Sequence, residues 1–233
     1  MNIVYALTRN VYEWILPSIR SLAEHNPDAR VFILCEDDVL PFDLPDFRRL
    51  KVINISRQKY FPEIAAHRTE AFGGYINHLK VYYPDILPCA KVIHLDIDTI
   101  ITDNLIDLWE KDIDDKWFAA VPESQTWYRP YGNTYYNMGV ALINLHQMRK
   151  DGISSVMGEY LMTSGRPFAD QDAWNNFGYK YEKATALDLR FNESMVTGKT
   201  DNPAIIHYCA IPDWWTNMKM DRWKYLAKYK EAK

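Results

Sequence analysis

The sequence VIHLDID occupies residues 92–98 of this 233-residue chain and joins a short apolar run to two aspartates. A run of this kind, without helical spacing, is typical of a buried strand. Asp96 and Asp98 stand where that strand would leave its sheet, and ligands in open α/β sheets bind beyond the carboxyl ends of the strands. Two carboxylates at that place are costly unless a cation offsets their charge. The stretch therefore indicates an α/β protein with a candidate cation site.

The D-x-D motif alone is weak evidence, because two further pairs occur in the segments KDIDDK and ADQD. KDIDDK is typical of a solvated loop, whereas Asp96 and Asp98 follow a predicted strand. At that position the two aspartates are either metal ligands or residues that cap a turn. Oxygen ligands suit Mg²⁺ or Mn²⁺, often shared with substrate phosphates. His207 directly follows another apolar run, residues 204–206. As a third ligand, its imidazole would favour Mn²⁺.

Apolar runs of strand length alternate with segments of helical spacing along the chain. This alternation predicts a single α/β domain with a mixed, mostly parallel central sheet and helices on its faces. Strands are predicted at residues 3–7, 31–34, 51–55, 92–95, 117–121 and 204–207, with a longer apolar run at 135–145, helices at 11–22, 75–83, 148–162 and 170–177, and loops at 41–46 and around 61–62.

Composition and charge narrow the class of protein. The net charge of −4 argues against a nucleic-acid partner. Three cysteines without metal-finger spacing predict reduced thiols and a cytoplasmic location, and no apolar run is long enough to span a bilayer. Residues 218–233 are basic and aromatic, unlike residues 1–217. They predict either a peripheral membrane-contacting helix or a solvated terminal helix docked by its aromatic residues.

Six separated segments resemble glycosyltransferase family 8, the retaining family of the glycogenins and bacterial lipopolysaccharide galactosyl- and glucosyltransferases. They are IVYALTRN, HLDIDTIITDNLIDLW, YYNMGVALINL, ADQDAWN, RFN and IIHYCAIPDWW, and they span residues 3–215 in the family's order. The resemblance implies a GT-A fold in a Rossmann-like domain, a UDP-sugar donor, and Mn²⁺ or Mg²⁺ as cofactor. It also implies hexose transfer to a glycan, glycolipid or protein acceptor.

The resemblance also assigns roles to residues of this chain. It implies Asp96, Asp98 and His207 as metal ligands, and Asp170 and Gln171 as the catalytic pair beneath the anomeric carbon of the donor. Before the resemblance, Asp170 is better interpreted as an acidic residue that favours a helix N-terminus, and the resemblance reverses that interpretation. The remaining donor-binding residues that it implies are Ala6, Leu7, Thr8, Asn10, Lys80, Ile97 and Asn137.

The closing segment departs from the family pattern H-x-x-G-x-x-K-P-W. Ala210 stands for the glycine, and Asp213 stands for the lysine that would contact the diphosphate. A carboxylate there repels phosphate, which leaves open a nucleotide-sugar-binding protein without transferase activity. A sugar-nucleotide nucleotidyltransferase is a third reading, but residues 6–10 lack the glycines that such an enzyme carries after its first strand.

Overall fold

The computed structural model describes residues 1–66, 74–124, 134–163, 169–209, 211, 214, 216–219 and 222–230. Its strands are β1 Asn2–Ala6, β2 Arg30–Cys35, β3 Arg49–Asn54, β4 Lys91–Leu95, β5 Thr99–Ile101, β6 Phe118–Pro122, β7 Tyr136–Asn144, β8 Ala184–Ala186 and β9 Ile205–His207. Its α-helices are α1 Ile15–His25, α2 Phe61–Ala66, α3 Tyr83–Ile86, α4 Ile106–Glu110, α5 Leu145–Asp151, α6 Ile153–Thr163, α7 Ala169–Lys180 and α8 Trp223–Lys230. Shorter 3₁₀ helices span Arg9–Trp14, Ile55–Arg57, Gly74–Tyr82 and Leu189–Phe191.

Seven strands form the central sheet in the order β3-β2-β1-β4-β7-β6-β8. Among the described strands of this sheet, β7 runs against the other six. The prediction of a mixed, mostly parallel sheet is confirmed. Because β1, β2 and β4 are parallel neighbours, the residues that follow them emerge at one edge of the sheet.

Side chains alternate between the two faces of the sheet, as strand geometry requires. In β1, Val4 packs with Phe32 and Leu34 of β2 on one face, whereas Ile3 and Tyr5 belong to the cluster on the other. Burying each such apolar side chain contributes roughly 1.5–3 kcal/mol. Two apolar layers, one on each face, therefore stabilise the sheet, and the loops at its edge are available to form a site.

Three predicted elements differ in kind from the observed ones. Pro62, placed in a loop, lies at the second position of α2, where a missing N–H costs little because the first helical N–H groups have no intrahelical partner. The predicted helix 148–162 is two helices, since Gly152 adopts a left-handed φ of 62° and ends α5 before α6 begins. The predicted helix 75–83 is mainly the 3₁₀ helix Gly74–Tyr82.

The terminal helix α8 packs against α1. Leu226 and Tyr229 are buried in a small aromatic cluster, Arg20 donates to the Tyr229 carbonyl at 2.9 Å, and Lys228 lies 2.6 Å from the Glu24 carboxylate. These contacts support docking of the helix by its aromatic and apolar side chains. Within the described part of the chain, no helix has both the length and the apolar character needed to cross a bilayer.

Candidate active site

Asp96, Asp98 and His207 converge at the edge of the sheet. The two aspartates follow β4 directly, and the short antiparallel pair β5–β9 sets His207 opposite Thr99. One ligand atom from each of the three side chains lies within 4.8 Å of the others. Strand pairing thus brings together residues that are more than a hundred positions apart in the sequence.

Backbone hydrogen bonds fix the turn that carries the aspartates. The Asp96 N–H donates to the Gly139 carbonyl of β7 at 2.8 Å, and the Thr99 hydroxyl donates to the Asp96 carbonyl at 2.7 Å. Ile97, between the aspartates, packs its side chain on the core. The side chains of Asp96 and Asp98 keep 30% and 19% of their surface exposed, so a ligand at the sheet edge can reach them.

A chain of amides orients the imidazole of His207. Asn192 donates through Nδ2 to the Asn137 side-chain oxygen at 2.9 Å, so its own Oδ1 accepts from His207 Nδ1 at 3.0 Å. His207 Nε2 then lies 3.2 Å from Asp98 Oδ1 and 3.9 Å from Asp96 Oδ2. Once deprotonated at Nε2, the ring directs its lone pair at the two carboxylates, as a metal ligand does.

Gly139 provides the space that His207 occupies. A Cβ atom on Gly139 would lie 2.0 Å from His207 Cε1, so only glycine allows the ring to lie against β7. Burial works to lower the pKa of His207, but Cys209 and Asp98 outweigh it and raise that pKa well above its ordinary value. A cation bound there would compete with a proton for the ring, because a histidine ligand must be neutral.

Lys80 places a cation beside the cluster. Its side chain is 4% exposed, and Nζ lies 3.2 Å from Asp96 Oδ1, 3.5 Å from Asp170 Oδ2 and 3.4 Å from the Met138 carbonyl. Burial works to lower the pKa of Lys80, but Asp96 and Asp170 outweigh it and raise that pKa. The structure thus brings together three of the residues that the sequence singled out.

Gln171 and Asn137 are joined through a glutamate that the sequence analysis missed. Glu123 Oε1 accepts from Asn137 Nδ2 at 3.1 Å and from Gln171 Nε2 at 3.0 Å, and Gln171 Oε1 accepts from the Met138 N–H at 3.0 Å. Burial raises the pKa of Glu123. The sequence could have identified Glu123, because it follows the predicted strand 117–121. The same position after a predicted strand singled out the D-x-D pair.

The predicted nucleoside-binding residues lie at the carboxyl end of β1. Ala6 ends that strand, and the Leu7 N–H donates to the Leu34 carbonyl at 3.0 Å while its side chain is fully buried. The Thr8 hydroxyl donates to Asn10 Oδ1. Because β1 pairs with β4, this segment borders the same edge of the sheet as the D-x-D turn.

The residues that depart from the family pattern, Ala210 and Asp213, lie outside the described residues. Arg222, one of the bases near them in sequence, is committed elsewhere, since its guanidinium bonds the buried Glu193 carboxylate at 2.8 and 3.0 Å. Lys199 and Lys219 are also near Asp213 in sequence, and both are exposed. Arg222 is therefore less suited than either of them to replace the missing lysine.

The donor set fits a divalent cation. Two carboxylates and one imidazole within 4.8 Å of one another match the oxygen and nitrogen ligands of Mn²⁺, and oxygen ligands alone match Mg²⁺. The ring of His207 is held by an outer amide, as metal-bound histidines commonly are. Fold and site together define an α/β protein with a candidate divalent-cation site at the sheet edge.

The family model described as "Glycosyl transferase family 8" matches residues 2–219, and the chain belongs to that family. Curated relatives include the glycosyltransferases GlyA and GlyD of Streptococcus pneumoniae serotype 4, 25% and 23% identical over 93% and 96% of this chain. General stress protein A of Bacillus subtilis is 22% identical over 75% of the chain. The chain spans only 32% of GlyA and 30% of GlyD, so it corresponds to about a third of those proteins.

Solved structures show the same fold. The galactosyltransferase LgtC, crystallised with donor and acceptor sugar analogues, superposes with a TM-score of 0.79 at 21% identity, covering 99% of this chain and 95% of that one. The apo form of GlyE from Streptococcus pneumoniae gives a TM-score of 0.71 at 19% identity, covering 100% of this chain and 60% of that one. The predicted GT-A fold is confirmed, and so is the predicted membership of glycosyltransferase family 8.

Proposed function

We propose that this chain transfers a hexose from a UDP-sugar to a hydroxyl group of a glycan, glycolipid or protein acceptor, with retention of anomeric configuration. The observation that carries the proposal is the cluster of Asp96, Asp98 and His207 beside the buried Lys80, at the ligand-binding edge of a family 8 fold. The donor and acceptor sugar analogues named for LgtC support the same two substrate classes here.

The departing UDP carries the charge that the site must stabilise. Asp96, Asp98 and His207 would hold the divalent ion, Mn²⁺ or Mg²⁺, which acts as a Lewis acid on the diphosphate when bound. Lys80 adds a fixed positive charge within 3.2 Å of Asp96, and a preorganised charge of this kind costs no reorganisation during the reaction. Thr8 and Asn10 border this edge of the sheet and would contact the nucleoside.

The residues on the sugar side of the site favour one of two routes to retention. In that route the acceptor hydroxyl attacks the face of the sugar that the UDP leaves, and no protein nucleophile forms a covalent intermediate. Asp170 is paired with Lys80 at 3.5 Å, which lowers the nucleophilicity of its carboxylate. Both ends of the Gln171 amide are bonded, to Met138 and Glu123, so Gln171 is fixed and offers a dipole rather than a reactive group. We infer that these two residues stabilise positive charge on the sugar while the leaving phosphate takes the acceptor proton.

A panel of UDP-sugars tests the proposed function. With Mn²⁺, at least one donor is expected to release UDP, slowly to water and faster when glycan acceptors are added, and EDTA is expected to stop the release. The product's anomeric configuration, read by NMR, is expected to match that of the donor. UDP binding without turnover of any donor would instead support a nucleotide-sugar-binding protein, the reading that Asp213 keeps open.

A cytoplasmic location and membrane contact through residues 218–233 remain proposals. The described helix α8 buries Leu226 and Tyr229 in a cluster with Tyr208 and Trp214. The lysine-bearing side of the helix is therefore the part that could meet an anionic surface, and contact would be weak and salt-sensitive. Sedimentation with anionic vesicles at low salt tests this, and no binding there would contradict it.

A further inference from the structure

His94 is a buried histidine on β4, the strand that leads into Asp96 and Asp98. The proposed function gives His94 no role. It lies on β4 two residues before Asp96 and is 1% exposed. Residues two apart on a strand share a face, which lets the ring reach the carboxylate just beyond the strand end. The ring is fully enclosed, so neither of its nitrogens can rely on solvent for a hydrogen bond.

Both nitrogens of His94 are bonded, and their partners define the direction of each bond. Nε2 lies 2.8 Å from Asp96 Oδ1, and an ionised carboxylate only accepts, so Nε2 carries the proton. Nδ1 lies 3.0 Å from the Tyr83 hydroxyl, which in the neutral ring must be the donor. Tyr83 is itself fully buried. The result is a directed chain from Tyr83 through His94 to one named oxygen of Asp96.

The same oxygen of Asp96 also faces Lys80, whose Nζ lies 3.2 Å from Oδ1. Two donors therefore engage Oδ1. The other oxygen, Oδ2, faces His207 Nε2 at 3.9 Å, inside the cluster of candidate ligand atoms. The two oxygens of one carboxylate are thus divided between an anchored side and a side that faces the metal site.

We propose that Tyr83 and His94 form a positioning pair that anchors Asp96 Oδ1 and so presents Oδ2 to a divalent cation. The inference rests on the proposed function only in requiring that Asp96, Asp98 and His207 bind a metal. It assigns His94 no contact with substrate. Hydrogen-bond partners behind metal ligands typically change metal affinity 10–100-fold when removed, and the pair is placed to have an effect of that size.

Mn²⁺ affinity, measured by the electron paramagnetic resonance signal of free Mn²⁺, tests the pair without any turnover. His94→Met introduces an apolar side chain of similar length and removes both hydrogen bonds, and we expect it to weaken Mn²⁺ binding about 10–100-fold. His94→Gln places an amide N–H near the position of Nε2, and we expect it to recover most of that loss. A histidine that merely fills the core would give no such rescue, because both variants remove the ring.

Tyr83→Phe provides the second variant and keeps the test decisive if His94→Met does not fold. It removes only the hydroxyl that donates to Nδ1, and we expect a smaller loss of Mn²⁺ affinity than in His94→Met. Tyr60→Phe is the matched control, because Tyr60 is also buried but its hydroxyl has no hydrogen-bond partner among the described residues. We expect it to leave Mn²⁺ affinity unchanged.

The outcomes separate this inference from the proposed function. Wild-type protein that binds Mn²⁺, with unchanged affinity in His94→Met and Tyr83→Phe, would overturn the positioning pair and leave the metal site intact. Equal losses in His94→Met and His94→Gln would also overturn it, since the donated hydrogen bond would then be irrelevant. Wild-type protein that binds no Mn²⁺ would contradict the metal site and the pair together.

Discussion

Asp98→Asn is expected to abolish detectable Mn²⁺ binding while leaving the fold intact. The change keeps the shape of the side chain but removes its charge, and Asp98 Oδ1 lies 3.2 Å from His207 Nε2 within the candidate ligand cluster. Loss of a direct ligand should exceed the roughly 10–100-fold cost of losing an outer partner. Titration with Mn²⁺ followed by electron paramagnetic resonance measures the affinity, and thermal unfolding followed by circular dichroism checks the fold.

The chain offers a matched control for this variant. Asp114 is the second aspartate of another D-x-D pair, and its side chain is exposed. Asp114→Asn makes the same chemical change outside the cluster and is expected to leave Mn²⁺ affinity at the wild-type value. Equal affinities in Asp98→Asn and Asp114→Asn would contradict the ligand assignment.

Gly139→Ala is expected to produce the second large effect, although Gly139 bears no side chain to bind anything. The added Cβ would lie 2.0 Å from His207 Cε1 and 2.8 Å from both ring nitrogens, so the imidazole must move away from the carboxylates. Because this displaces a direct ligand, we expect Mn²⁺ affinity to fall by more than the roughly 10–100-fold typical of losing an outer hydrogen-bond partner. Overpacking should also lower the free energy of unfolding by roughly 1–3 kcal/mol.

Gly152→Ala is the control for the glycine substitution. Gly152 has a φ of +62° and nothing within 4 Å of an added Cβ, so alanine there strains the backbone by roughly 1–2 kcal/mol without touching the site. Its Mn²⁺ affinity is expected to equal that of the wild-type protein. If Gly139→Ala bound Mn²⁺ as tightly as Gly152→Ala does, His207 would not be the third ligand.

The sequence predicted the parts of the site that follow strong local patterns. The apolar run before Asp96 marked β4, and strand-end placement marked the aspartates, because burial gives a parallel strand an uninterrupted apolar sequence. The strand before His207 was found in the same way. The pairing of β5 with β9 could not be predicted, because the two strands lie more than a hundred positions apart in the sequence and no local pattern encodes which strands pair.

The outer contacts of the site could not be predicted, because they join residues distant in sequence. Asn192 reaches His207 across fifteen positions, and Glu123 reaches Gln171 across forty-eight. No local pattern encodes such pairs, since a polar residue after a strand is as often solvated as bonded. The resemblance to a family placed Lys80 near the donor, but only the structure showed it buried between Asp96 and Asp170.

The central claim is that Asp96, Asp98 and His207 hold the cation through which this chain binds the diphosphate of its donor. Calorimetric titration of the wild-type protein with UDP, once in Mn²⁺ and once in EDTA, tests that claim most directly. We predict saturable binding of one UDP per chain in Mn²⁺ and loss of that binding in EDTA. The same UDP affinity in both buffers would contradict the account, because nucleotide binding would then be independent of the cation.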